Sequence, residues 1–308
     1  MSEPTTAKQR DGKPEWMQRK ERGSLLLLQL MSRISLVFGR RLTRIVVYGI
    51  ALYFLLAAPA ARRASRNYLG RALQRPATWA DLYRHILAFA STIHDRFYLL
   101  NDQSGLFDIQ VFGVEPIVDR QRQNLGMLLF GAHMGSFEIL LTHGRTGSFN
   151  SSVAMYPENA RLLNRTLSAI NPEAITGIIG LGRFDSMLTI RHKLETGSIV
   201  GVLADRAAGP DKYITLPFLG VPARFPTGPF RMAAMLEYPV YFMAGRYCGA
   251  NRYEVHFEPL IDFAEVTGSP RDAVVRAALQ KYVAALERHC KAAPYNWFNF
   301  FEFWEAAA

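Results

Sequence analysis

The chain has 308 residues, of which 49% are hydrophobic, enough for one large domain or two small ones. Its formal net charge of +10 indicates an anionic partner. Nucleic acid is disfavoured, because the arginines of the first quarter lie among hydrophobic runs and no recognition motif is present. The two cysteines, Cys248 and Cys290, lack metal-ligand spacing, so we expect reduced thiols and no metal site.

The sequence of the first 75 residues indicates a disordered tail followed by a region that associates with membranes. Residues 1–22 are polar and charged, which is typical of a disordered segment. Residues 23–75 are hydrophobic and basic, and they contain an apolar run of 14 residues, 45–58, flanked by arginines. This run is shorter than the roughly 20 residues that span a bilayer, so short helices that lie in the interface or re-enter it are expected. An ordinary buried helix is the alternative.

The remaining chain, residues 76–308, predicts one α/β domain. Strands that alternate with helices favour a mostly parallel central sheet flanked by helices. Strands are expected at 107–114, 126–130, 152–156, 174–179, 199–204, 240–246 and 253–258. Helices are expected at 60–73, 78–98, 159–170, 185–195, 230–236 and 270–291. The segment 217–229 is rich in proline and glycine and is predicted to be a loop.

The segment 125–140 carries the clearest chemical signal. An apolar strand runs into a small-residue turn that contains His133, and Glu138 follows in the first turns of an expected helix. A histidine whose second ring nitrogen is held by a carboxylate can take a proton from an attacking nucleophile. Gly135 would let the backbone approach a substrate, and the helix start at Ser136 would supply N–H groups for a developing oxyanion.

The sequence GAHMGSFE at residues 131–138 resembles the H-x4-D/E motif of the lysophospholipid acyltransferase superfamily. Within it, the chain is similar to the bacterial lipid A biosynthesis (late lauroyl/myristoyl) acyltransferase family. The segment GSIVGVLADR at 197–206 resembles the G-x-x-V-x-x-x-x-D segment of that family, and 217–229 resembles its loop with P-x-G-P. The basic N-terminus matches its membrane region, so the similarity covers about residues 30–304.

The resemblance implies that His133 is the general base and Glu138 its orienting partner. The donor would be an acyl carrier protein or coenzyme A thioester, the acceptor a hydroxyl or amine of a membrane lipid, and no metal or other cofactor would be needed. An acidic carrier protein and an anionic membrane surface both suit the basic chain. The location would be the cytoplasmic face of the bacterial inner membrane. The expected substrate-binding residues are Gly135, Ser136, Arg161, Asp205, Arg206, Phe225 and Gly228.

Several of these roles have plainer alternatives. Asp205 ends an apolar strand, so it either reaches the same site or caps the strand. Arg161 and Arg206 either bind phosphate or the pantetheine arm of the donor, or are solvated. The loop with Phe225 and Gly228 either shapes the acceptor pocket or is a rigid turn.

The chain departs from the family at three places. Tyr156-Pro157 stands where Tyr-Arg-Pro is usual, and Asp205-Arg206 where Asp-Gln is usual. The aromatic run 295–304 is more similar to a branch found with other pathways, such as aryl polyene synthesis. These differences preserve acyl transfer and leave the acceptor open.

Two further alternatives are a hydrolase that passes the acyl group to water and a non-catalytic membrane-bound module that binds carrier protein or lipid. For the enzyme, bulky apolar residues near the motifs predict a closed pocket that measures acyl length. The residues expected to form it are Phe218, Leu219, Phe225, Phe230, Met232 and Met235.

Overall fold

A computed structural model describes residues 25–136, 150–155, 178–181, 185–206, 212–268 and 270–304. The expected tail 1–22, the expected helix 159–170 and the expected helix after Ser136 lie outside these residues. The chain begins with three helices: α1 (Leu25–Ala57), α2 (Pro59–Ala72) and α3 (Trp79–Leu99). Helix α1 is bent at Gly39, whose φ of 75° and ψ of 164° are not helical, so the two short helices expected from the sequence are present as its two parts.

The inner face of α1 repeats every four residues, as one stripe of a helix does. Its buried side chains are Ser35, Thr43, Val47, Ala51 and Leu55. This stripe packs on α3, where the Thr43 hydroxyl lies 2.8 Å from His94 Nε2. Since α3 itself begins with a capping box between Thr78 and Asp81, the sequence fixes where this helix starts, as predicted.

The outer face of α1 is apolar and exposed, which is unusual for a contiguous surface of this size. Its exposed large side chains are Leu36, Val37, Phe38, Leu42, Ile45, Val46, Tyr48, Leu52, Tyr53, Phe54 and Leu56. In the part of the chain that the structure describes, no single helix is both long and apolar enough to cross a membrane. The bent pair Arg33–Ala57 and Pro59–Ala72, at 96°, meets the length and composition requirements together.

The α/β part contains a seven-stranded sheet in the order β1-β9-β8-β2-β5-β3-β4. Its strands are β1 (Asp108–Phe112), β2 (Met127–Gly135), β3 (Ser151–Met155), β4 (Ile178–Gly180), β5 (Ile199–Leu203), β8 (Pro239–Tyr247) and β9 (Arg252–Asp262). All neighbours are parallel except β8 and β9, so the predicted mostly parallel sheet is confirmed. The carboxyl ends of β2, β5 and β8 therefore meet at one edge.

Helices α4 (Glu115–Arg122), α5 (Ser186–Glu195), α6 (Gly228–Leu236) and α7 (Arg271–Ala292) complete the described elements, with a 3-10 turn at Ser104–Leu106. Alternate residues of β2 enter different cores, as the two-residue period of a strand requires. Leu128 and Phe130 belong to the larger cluster, and Met127 and Leu129 to the smaller one on the other face. Side chains of α1 and α2 belong to the larger cluster too, so these helices share the core of the sheet.

The prediction of a loop at residues 217–229 is wrong. The chain forms an antiparallel hairpin of β6 (Tyr213–Phe218) and β7 (Val221–Pro226), and α6 begins at Gly228. Leu219 and Gly220 make the turn with φ values of 51° and 82°, as tight hairpins require. Proline is incompatible with a strand only at positions where the backbone N–H must donate to a neighbouring strand, because proline has no N–H. Here Pro217 and Pro222 pair in an isolated two-stranded ribbon, where no central ladder is broken.

Candidate active site

β2 departs from regular pairing at His133. Between Gly131 and Gly135 the strand advances four residues, while its partner β8 advances only two, from Met243 to Gly245. The extra residues form a β-bulge, which changes the direction in which the side chains of the strand point. The sequence predicted that the strand ends before His133, in a turn. That boundary is wrong, because β2 continues to Gly135.

The bulge is held by the C-terminal segment of the chain. The Phe298 N–H donates to the His133 carbonyl at 2.8 Å, and the Gly135 N–H donates to the Asn296 carbonyl at 2.9 Å. These bonds replace the regular ladder and satisfy backbone groups that the bulge removes from it. The position of His133 therefore depends on residues more than 160 positions later in the sequence.

Gly135 is required by the close approach of two strands. Its φ is 57°, and a Cβ at this position would lie 1.6 Å from the Gly245 carbonyl oxygen. The next residue, Ser136, is fully buried, and its N–H donates to the same carbonyl at 2.8 Å. Gly135 and Ser136, both expected to bind substrate, thus have a structural function in ending β2.

His133 and Asp205 form the central pair of the site. His133 Nδ1 lies 2.8 Å from Asp205 Oδ1, and Asp205 follows the neighbouring strand β5. The carboxylate is fully buried, whereas the His133 side chain is 36% exposed. An ionised carboxylate only accepts, so Nδ1 carries a proton, and in the neutral imidazole Nε2 is left with a lone pair. This is the tautomer that a general base needs.

Asp205 is surrounded by donors. Its Oδ2 accepts from Arg206 Nη2 at 2.8 Å, from Trp297 Nε1 at 3.0 Å and from the His133 N–H at 3.3 Å. Burial alone would raise the pKa of this carboxyl. The charge of Arg206, together with the hydrogen bonds from His133 and Arg206, holds the pKa of Asp205 well below its usual range. The buried group is therefore ionised at neutral pH.

Trp297 connects the pair to the helical region. Its indole is fully buried, and its carbonyl accepts from His85 Nε2 at 2.9 Å. His85 Nδ1 lies 2.7 Å from the Ser65 hydroxyl. Burial lowers the pKa of His85 to about 4, partly offset by the bond to Trp297. His85 is therefore neutral: it donates from Nε2 and accepts at Nδ1. The aromatic run 295–304 contains no sequence signal for this hydrogen bond.

Other residues predicted for the site lie farther from the pair or outside the described chain. Arg206 is 12% exposed, is engaged with Asp205, and lies over the Phe301 ring at 4.9 Å. Phe225 is fully buried against Phe218 and Phe303, and Gly228 begins α6. Glu138 and Arg161 lie outside the described residues. The described residues contain no group of three or more histidine, cysteine or acidic side chains that could hold a metal ion.

The residues expected to measure acyl length do not form one pocket. Phe218, Leu219, Phe225, Phe230 and Met232 are buried in the larger core cluster. Met235 is 62% exposed on α6, so the expectation that it lines a closed pocket is wrong. The apolar pattern does not distinguish the buried face of this helix from its outer face, where Met235 lies.

Comparison with protein families gives a match over residues 78–305 to the family described as bacterial lipid A biosynthesis acyltransferase. The chain belongs to this family. It is an acyltransferase of lipid biosynthesis, as the motif at His133 predicted.

Among solved structures, a match is found to the 1-acyl-sn-glycerophosphate (LPA) acyltransferase PlsC from Thermotoga maritima. The identity is 13% and the TM-score 0.35, over 85% of this chain and 95% of that chain. Comparison with curated proteins gives no match.

Proposed function

We propose that the chain transfers a fatty acyl group from an acyl carrier protein or coenzyme A thioester to a hydroxyl or amine of a membrane lipid. His133 is the general base in this proposal, and Asp205 orients it. The observation that carries the proposal is the 2.8 Å contact between a partly exposed imidazole and a buried, ionised carboxylate. Family membership supports the reaction class.

The chemical step follows from the tautomer of His133. Nε2 takes the proton of the acceptor hydroxyl as its oxygen attacks the thioester carbonyl carbon. The tetrahedral intermediate collapses, the C–S bond breaks, and the imidazolium returns the proton to the leaving thiolate. Asp205 stabilises the imidazolium through Nδ1. No acyl-enzyme is required, since the acceptor attacks the donor directly.

Arg206 fits a supporting role in this scheme. Both its Nε and its Nη2 donate to Asp205, and its side chain is largely buried. We therefore assign it to holding the carboxylate rather than to binding a phosphate or the pantetheine arm. The role of Glu138 as the carboxylate partner stays a prediction, as do the roles of Arg161, Phe225 and Gly228 in binding substrate.

We also propose that α1 attaches the enzyme to an anionic membrane surface, at the cytoplasmic face of the bacterial inner membrane. The support is the exposed apolar face of α1 together with nearby arginines. Trp79 is exposed beside this region, and the guanidinium groups of Arg62 and Arg66 lie 5.3 Å and 5.5 Å from its ring centre. An exposed tryptophan with arginines is typical of a membrane interface.

The test of acyl transfer compares three variants with the wild-type chain. His133→Ala and Asp205→Asn each remove one half of the pair, and His192→Ala removes an exposed histidine on α5 as a matched control. The assay follows labelled acyl groups from fatty acyl-coenzyme A and fatty acyl carrier protein into a bacterial lipid extract. We expect kcat to fall by roughly 100-fold or more in the first two variants, the scale of general base catalysis, and to be unchanged in the control.

Two results would contradict the proposal. A folded His133→Ala protein that keeps near-normal transfer would exclude His133 as the base and favour a non-catalytic module. Thiol release at the same rate with and without lipid, and without labelled lipid product, would identify a hydrolase. Circular dichroism of each variant separates lost chemistry from lost folding.

A further inference from the structure

A recess beside the proposed active site is lined by an excess of positive charge. It has a volume of about 660 Å³ and is lined by three arginines from three different elements: Arg44 of α1, Arg84 of α3 and Arg246 of β8. One carboxylate, Glu254, also lines it. A recess of this volume has the size of a small-molecule binding site rather than of a single ion.

Two of the three arginines have no acidic partner to neutralise them. Within the described part of the chain, neither Arg44 nor Arg84 has a carboxylate within ion-pair distance. Arg44 donates to the Ala250 carbonyl at 2.7 Å and to the Tyr247 hydroxyl. These partners are neutral, so they orient the Arg44 guanidinium without cancelling its charge. The Arg84 side chain is exposed.

The third arginine is shared between partners. Arg246 Nε donates to His289 at 3.0 Å, and its Nη1 lies 3.5 Å from Glu254. Glu254 has a closer partner in His256, at 3.0 Å. The recess therefore has a net positive charge whichever way Glu254 is counted. Arginines on the same chain that serve the fold are paired instead, as Arg40 is with Asp95 at 2.7 Å.

The rest of the lining is small and apolar. Leu87 and Ala88 lie on the same face of α3 as Arg84, and Ala292, Ala293 and Pro294 come from the end of α7 and the residues after it. Arg44 belongs to α1, where the next residue, Ile45, is 67% exposed. A lining that contains both arginines and apolar residues fits a ligand that has a charged part and an apolar part.

The recess also shares a wall with the proposed active site. Asn296 lines it, and the Asn296 carbonyl accepts the Gly135 N–H of the strand that carries His133. The Asn296 side chain accepts the Tyr247 N–H at 2.6 Å, which fixes the wall to β8. A ligand in the recess would thus lie next to the strand end at which acyl transfer is proposed.

We propose that this recess binds the phosphate group of a phosphorylated lipid. Arginine guanidinium groups from three elements can each donate to phosphate oxygens, and the apolar walls and the adjoining face of α1 accommodate the start of the acyl chains. This inference rests on the proposed function in one respect, namely that such a lipid reaches His133 as acceptor. Binding itself is independent of catalysis.

The experiment measures ligand binding to the full chain in dodecyl maltoside micelles, with the inactive His133→Ala protein as background. The probe ligand is dihexanoyl phosphatidic acid. The comparison ligands, each measured separately, are dihexanoylglycerol, inorganic phosphate and 4′-phosphopantetheine. Arg84→Gln and Arg44→Gln each remove one donor. Arg122→Gln is the matched control, because Arg122 is exposed on α4 at the opposite, amino-terminal end of β2.

We expect phosphatidic acid to bind and each recess variant to weaken it by about 10-fold or more, the loss of a charge-assisted hydrogen bond. The control variant should keep wild-type affinity, and dihexanoylglycerol should not respond to either arginine. Inorganic phosphate should bind at least about 10-fold more weakly than phosphatidic acid, because it lacks the apolar part.

Unchanged phosphatidic acid affinity in both recess variants would overturn the proposal. So would equal binding of inorganic phosphate, which would leave a plain anion site, or arginine-dependent binding of 4′-phosphopantetheine alone, which would assign the recess to the donor. If Arg44→Gln does not fold, because Arg44 also holds the β8–β9 turn, Arg84→Glu replaces it at an exposed position. Failure of the proposed acyl transfer leaves these outcomes readable, since the binding assay contains no acyl donor and measures affinity alone.

Discussion

At the scale of single residues, the site is defined by how completely Asp205 is satisfied. A carboxylate offers about four lone-pair positions. Here it receives bonds from the ring and the backbone of His133, from Arg206 and from Trp297. Each donor favours the ionised form, and a buried charge is tolerated only with such partners. The fixed carboxylate in turn fixes the orientation of the His133 ring.

The sequence identified half of this arrangement. His133 was found because a histidine in a small-residue segment after an apolar strand is a recognisable pattern, and Asp205 because it ends a parallel strand. The contact between them was left open, since strand order cannot be derived from one sequence. Trp297 was not identified, because a hydrogen bond from one indole in an aromatic run has no local pattern.

Trp297 is predicted to be a positioning residue. Trp297→Phe keeps most of the buried ring and removes the N–H that bonds Asp205, so we expect kcat to fall by about 10-fold with KM little changed. The decisive measurement is a double-mutant cycle. In an Asp205→Asn background the same change should cost little, because the two residues act through one contact.

Trp304→Phe is the matched control for this cycle. Trp304 is also buried, but its indole N–H has no hydrogen-bond partner among the described residues. Equal losses of kcat in Trp297→Phe and Trp304→Phe, or full additivity with Asp205→Asn, would show that Trp297 contributes packing alone.

At the scale of elements, sequence patterns performed well where the apolar pattern is local and bounded by polar or small residues. The ends of α3 and α5 and the strands β3 and β5 lie within one or two residues of the predicted bounds. The failures share one cause, which is backbone pairing that the local apolar pattern does not reveal. β2 continues through its glycines because the segment around Trp297 and β8 bond its end, and β6 and β7 are strands only because they pair with each other.

Helix α1 gives a prediction at this scale. The double variant Leu42→Asp/Ile45→Asp places two charges on the exposed apolar face, where each leucine or isoleucine side chain would otherwise enter the lipid interface. We expect cosedimentation with vesicles of phosphatidylglycerol and phosphatidylethanolamine to weaken by about 10-fold or more. Wild-type protein should be released poorly by high salt alone and well by detergent.

Leu188→Asp is the control for membrane binding. Leu188 is 66% exposed on α5, close to the 61% of Leu42, but lies outside the proposed membrane surface. It should cosediment as the wild type does. If the double variant on α1 also pellets normally, the enzyme is attached through another part of the chain.

At the scale of the whole molecule, the helical region and the sheet are joined through one core. Leu55 of α1 and Tyr68 of α2 share a cluster with Phe130 of β2. The sequence predicted a separate region at 23–75 and a domain at 76–308, and this division stays a prediction. Apolar periodicity has the same form whether a stripe faces protein or lipid, so a sequence alone cannot distinguish the two faces of α1.

Two buried histidines make the stability of this core depend on pH. His85 is enclosed by Ser65, the Trp297 carbonyl and aromatic rings, and His289 lies between Arg246 and Glu258. Burial lowers the pKa of each to about 4. An unfolded histidine has a pKa of about 6.5, so between pH 6.5 and 4 the unfolded state binds more protons than the folded state. The contribution of the two neutral histidines to the free energy of unfolding is fully present above pH 6.5 and is lost as the pH falls toward 4.

We therefore expect the free energy of unfolding to fall by about 1.4 kcal/mol for each pH unit and each histidine between pH 6.5 and 4. Carboxylates add a further loss only below about pH 5, because their pKa values are lowered from 3.8 for Asp81, Asp95 and Asp205 and from 4.5 for Glu254, Glu258 and Glu287. Thermal unfolding midpoints measured from pH 7.5 to 4.5 test this. His289→Gln should flatten the slope, whereas His192→Gln on the exposed face of α5 should leave it unchanged. A wild-type unfolding midpoint that stays constant from pH 7 to pH 5 would contradict this prediction. It would mean that both histidines are protonated as easily in the folded chain as in water. The hydrogen bond from His85 to Trp297 would then not depend on a neutral ring.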